Sequence, residues 1–88
     1  MAVVQVEISV TTGPKGQIEL AYIRLGKARV AKTVEIEDDR LLADYDRHNK
    51  LVGIEILAPV KTITLRNIVS ATQLAAIERA LPDALKAA

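Results

Sequence analysis

Asp44, Asp46, His48 and Glu55 occupy the first, third, fifth and twelfth positions of an EF-hand calcium loop, which makes them the ligand-type residues to weigh first. The chemistry fails on inspection. The sixth position requires glycine for its sharp turn and is Asn49, and an imidazole is a poor donor to a hard cation. The flanks alternate as strands do, whereas an EF-hand loop needs helices on both sides. Catalysis is no better supported. His48, the only histidine, falls at a turn tip with no partner to make it a general base. Carboxylates are plentiful, but none falls in the apolar setting that paired-carboxylate chemistry demands. The four glycines stand at 13, 16, 26 and 53, too scattered for a phosphate loop. The sequence therefore predicts a non-enzyme without metal or cofactor.

The charged residues have a pattern of their own. The net charge of +1 hides a basic stretch, Arg24, Lys27, Arg29 and Lys32, followed over residues 35–46 by Glu35, Glu37, Asp38, Asp39, Asp44 and Asp46 against Arg40. One reading is two solvated faces and turns. The other is a dipolar surface in which the basic segment of one subunit meets the acidic segment of another. Tyr22, Arg24, Lys27, Arg29, Lys32, Asp44 and Asp46 are accordingly the candidate interaction residues. Nucleic acid is a less favoured partner: the charge is near neutral, no aromatics are placed to stack bases, and the C-terminal segment is not a basic reading helix.

The elements that must position these residues follow from hydrophobic periodicity. The chain is one domain of 88 residues, half of them hydrophobic, with Tyr22 and Tyr45 its only aromatics and no cysteine. Its core must come from Val, Ile, Leu and Ala. No stretch approaches about 18 consecutive apolar residues and the N-terminus has no basic-then-apolar leader, so a soluble cytoplasmic protein is expected. Val4, Val6, Ile8 and Val10 alternate with polar residues as one strand. Residues 17–25 are apolar on both faces, with Ile18, Leu20 and Tyr22 opposite Ala21, Ile23 and Leu25. Gly26-Lys27 suits a tight turn into a strand over 28–37, in which Lys32 marks a sheet margin. Leu41–Leu57 is a hairpin around Asp46-Arg47-His48-Asn49, where Asp46 caps the turn and Asn49 accepts positive φ.

Short connections predict antiparallel neighbours in chain order, hence an α+β domain: a five-stranded β-meander over 1–58, a link or short strand over 59–69, and a C-terminal helix over 70–88. Ser70 and Gln73 have capping-box spacing, Leu74, Ile77, Leu81 and Leu85 form one stripe, and Pro82 ends or kinks the helix.

Residues 17–58 resemble a family catalogued only as domain of unknown function 2283, found in small bacterial proteins. The resemblance rests on Tyr22-Ile23-Arg24-Leu25, on Gly26-Lys27 with Thr33-Val34-Glu35, on Asp44-Tyr45-Asp46, and on Val52-Gly53-Ile54-Glu55-Ile56-Leu57. Glu19 alone stands for the acidic residues usual before the first segment, and Asn49 replaces a common turn glycine. The family carries no activity with it, so the resemblance implies a fold and no chemistry.

One helix covers one sheet face. The apolar residues of the second face, with Leu42 and Leu57, then predict a homo-oligomer, most simply a dimer, acting as a non-catalytic structural or interaction module. The competing expectation folds residues 60–69 over that face and leaves a monomer. The alternatives in function are a small partner of another protein, such as an antitoxin-like neutraliser, and weak nucleic-acid binding through residues 24–32. No membrane partner is expected.

Overall fold

A computed structural model describes residues 6–87. Five strands form one antiparallel sheet: β1 (Glu7–Thr12), β2 (Ile18–Arg24), β3 (Lys32–Glu37), β4 (Leu41–Tyr45) and β5 (Leu51–Ile56). The α-helix α1 (Ala71–Ala80) follows, with 3-10 turns at Thr62–Asn67 and Asp83–Leu85 on either side of it. The α+β class, the five antiparallel strands and the C-terminal helix are as the sequence predicts. Val4, assigned to the first strand, lies outside the described residues. Among these residues no helix is long and apolar enough to cross a membrane.

The strand order corrects one expectation. It is β1-β2-β5-β4-β3, so β2 pairs with β5, and β3 lies at the far edge. Gly26-Lys27 is no tight hairpin. The N–H groups of Leu25 and Gly26 both donate to the carbonyl of Val52, at 2.9 and 3.2 Å, and the chain then crosses the ends of β5 and β4. It rejoins the sheet where Ala31 N–H donates to Tyr45 O at 2.8 Å. Composition explains the order. β5 carries Val52, Ile54 and Ile56, all buried, and takes the centre; β3, KTVEIE, carries three charges, Lys32, Glu35 and Glu37, and tolerates an edge. Only β3, β4 and β5 form a meander. Lys32 lies at the sheet margin as expected, with Nζ 5.7 Å from the centre of the Tyr45 ring.

The link over 59–69 holds no strand, only an isolated bridge from Val60 to Lys86, and its middle, Thr62–Asn67, is a 3-10 helix. Thr62, Ile63 and Thr64 favour extended backbone by propensity, but they form a 3-10 helix because Leu65 is thereby inserted into the core at 0% exposure. Thr62 Oγ1 donates to Glu78 Oε1 of α1 at 3.0 Å, tying the two helical pieces together. Ser70 caps α1 with the full reciprocal capping box to Gln73. The helix stops at Ala80, two residues before Pro82, and the short Asp83–Leu85 turn follows, so the C-terminal segment is a helix with a second turn and not one helix to its end. Val60 N–H and Ala87 N–H bond across to Leu85 O and Val60 O, which fastens the tail to the link.

Leu65, Ile77, Leu81 and Leu85 pack on Ala21, Ile23, Leu41, Ile54 and Ile56 in a single aliphatic core. Leu65 and α1 thus lie on the same side of the sheet. The fold-back of 60–69 over the second face does not occur, and the described residues leave that face open.

Candidate interaction surface

Strand register maps the open face residue by residue. One row across it runs Ser9, Tyr22, Glu55, Leu42 and Glu35; the next, towards the hairpin tip, runs Glu7, Arg24, Gly53, Asp44 and Thr33. Leu20 lies two residues from Tyr22 on β2, and Leu57, just past β5 and bonded through its N–H to Arg40 O, lies two from Glu55, so both continue this face by alternation. Leu20, Leu42 and Leu57 are each half-buried. The face therefore has a leucine end and a polar end.

Tyr22 joins the two rows. Its ring reaches over Gly53 of β5, and its hydroxyl donates to Asp44 Oδ2 of β4 at 2.9 Å. Thr33 Oγ1 of β3 donates to the other carboxylate oxygen at 2.6 Å. A β-carbon at position 53 would collide with the Tyr22 hydroxyl and ring, so this strand position requires glycine to admit the ring. One aromatic ring and one carboxylate thus couple four strands. Burial pushes the Tyr22 phenol above its ordinary value, and donation to the Asp44 carboxylate, with its charge, pushes the same way. Arg24 opposes them and Glu55 adds to them weakly.

Asp46 belongs to the turn instead. It is 9% exposed, and its Oδ1 accepts from His48 N–H at 2.8 Å and Lys50 N–H at 2.9 Å. The bond from Lys50 N–H and that from His48 N–H hold its carboxyl below the usual aspartate range, against the opposing effect of desolvation. Asn49 closes the turn at φ 65°, and its N–H donates to Asp46 O, as the sequence predicts. His48 is exposed at the tip. The four residues with calcium spacing are consequently not brought together: Asp44 and Glu55 lie on the open face, Asp46 faces its own turn, and His48 lies beyond.

The basic candidates are dispersed too. Arg24 is on the open face, Lys27 and Arg29 are on the crossover, and Lys32 is at the margin of the covered side. At the opposite end of the sheet, Glu35 is held above the usual glutamate range by hydrogen bonding to Asp38 and by the charges of Asp38 and Asp39. Tyr22 and Asp44 are the pair of candidates that the fold unites. Gly53, Thr33 and Glu55 complete their surroundings and were not among the candidates, although a glycine inside an otherwise apolar strand is a signal of close approach.

Residues 17–58 match the model of a family described as protein of unknown function (DUF2283). No curated protein and no solved structure matches the chain. The matched span runs from the residue before β2 to just past β5, and it contains Tyr22, Thr33, Asp44 and Gly53 entire. Similarity to the family therefore covers the strands that build the network, and excludes β1 and the C-terminal cover.

Proposed function

We propose that this chain is a non-catalytic interaction module that self-associates as a homodimer through the open face of its sheet. The observation that carries the reading is that, among the described residues, the covering elements all lie on one side. Leu65, Ile77, Leu81 and Leu85 all enter the same core, while Leu20, Leu42 and Leu57 remain half-exposed on the other side. A second copy is the simplest occupant, because a twofold operation brings like surface to like surface and sets leucine against leucine. Arg24 and Glu55 form no ion pair among the described residues; Glu55 lies beside Leu42 and Arg24 in the next row, with opposite charges available for a partner.

The size of the face sets the strength. Five strands about 4.8 Å apart and about six residues long present on the order of 500 Å² per copy, hence about 1,000 Å² in the pair. That is near the lower limit for a specific interface, and micromolar association is expected. Sedimentation equilibrium tests it. Twice the monomer mass of 9.5 kDa at tens of micromolar supports the reading, and a persistent 9.5 kDa species overturns it. Leu42→Arg should return the mass to that of the monomer with the circular dichroism spectrum intact.

A further inference from the structure

We propose that the groove at the tip of the β4–β5 hairpin binds a small organic phosphate, a phosphate monoester on a compact apolar body. The groove lies between the crossover and the turn, has a volume of about 560 Å³, and shares no lining residue with the open-face rows, so its test does not depend on the dimer. That volume falls within the range of small-molecule sites. Ala28 and Val30 give it an apolar wall, with Val30 left 38% exposed, and Arg29, Arg47 and His48 line it from both sides. Arg29 and Arg47 form no ion pair among the described residues. Asp46, the one acid in the lining, accepts from the N–H groups of His48 and Lys50 through Oδ1 and forms no ion pair with either arginine among the described residues.

Both walls are fixed by the backbone. The crossover is tied at Leu25, Gly26 and Ala31 to Val52 and Tyr45, and the turn by Asp46 and by Asn49 N–H to Asp46 O. Arg47 Nε donates to His48 Nε2 at 3.2 Å, which holds these two side chains together and leaves the Nη groups of Arg47 for a ligand. Arg29 on the crossover wall and Arg47 on the turn wall suit a group with three terminal oxygens and close to two negative charges, because two planar forks can each engage two of the three oxygens with one shared. The apolar wall between them takes the body of the ester. A free inorganic ion would leave that wall uncovered.

Amide and side-chain resonances of the isotope-labelled full chain, titrated with phenyl phosphate, inorganic phosphate and benzyl alcohol, test the assignment. Phenyl phosphate should give saturable shifts confined to residues 28–31 and 46–48, inorganic phosphate should bind about tenfold more weakly, and benzyl alcohol should not saturate. Arg29→Gln and Arg47→Gln should each weaken phenyl phosphate about tenfold with the melting temperature unchanged. No saturable shift by about 10 mM, or equal affinity in the double variant, would overturn the proposal. Inorganic phosphate binding as tightly as the ester would overturn the assignment to an ester. The same resonances moving with protein concentration alone would show that a second copy fills the groove, and would also overturn it.

Discussion

The covered and open faces of this sheet are built from the same five strands and hold together by different means. On the covered face Ile23, Ile54, Ile56 and Leu41 are fully buried with Leu65 and Ile77 in one core, and the contact between sheet and cover is close packing of aliphatic side chains. On the open face Tyr22, Asp44 and Thr33 make directional hydrogen bonds, and a missing side chain at Gly53 is what allows them. The covered face tolerates changes that keep volume and apolarity. The open face depends on particular atoms, so a single methyl group in the wrong place is costly there.

The comparison can be broken at several points. The largest loss is expected for Ile54→Ala, which empties a fully buried position: about 3 kcal/mol by chemical denaturation. A loss below about 1 kcal/mol would mean that the aliphatic side is not close-packed. Gly53→Ala should cost about 2 kcal/mol, because the new methyl displaces the Tyr22 ring and leaves Asp44 without that donor. In a Tyr22→Ala background the same substitution should be nearly free, and a double-mutant cycle reads the coupling directly. Additive effects would separate the glycine from the tyrosine.

Tyr22→Phe removes only the hydroxyl and should cost about 1 kcal/mol. It should also change the pH dependence. Because the folded phenol ionises above the unfolded value, its contribution to stability is complete below about pH 10 and is lost as pH rises through the folded value. Alkaline melting curves should fall more steeply for the wild type than for Tyr22→Phe; parallel curves would contradict the assignment. The smallest effect is expected at the acidic margin. Glu35 ionises above its unfolded value, so its charge opposes folding at neutral pH, and Glu35→Gln should raise the melting temperature slightly near pH 7 and not at low pH.

The covered face was largely legible in the sequence. The alternation through Val52, Ile54 and Ile56, the stripe from Leu74 to Leu85, and the Ser70 cap each depend on local spacing, and each is found in the structure. The hairpin turn was legible for the same reason, since Asp46 and Asn49 act on their own neighbours. The insertion of β5 beside β2 was not, because short connections favour chain-order pairing and only the global choice between a central and an edge place for β3 overrules it. The 3-10 link was hidden because burial of Leu65 outweighs the preference of three β-branched residues. The network was half legible: Tyr22 and Asp44 stood out by type, but their meeting over Gly53 depends on that same non-local strand order.

Whether a second copy occupies the open face is best measured with a sample mixed from two isotope-labelling patterns, in which only intermolecular nuclear Overhauser effects are detected. The account predicts contacts between copies at the methyl groups of Leu20, Leu42 and Leu57. Contacts confined to β1 or β3, or none at tens of micromolar, would contradict it.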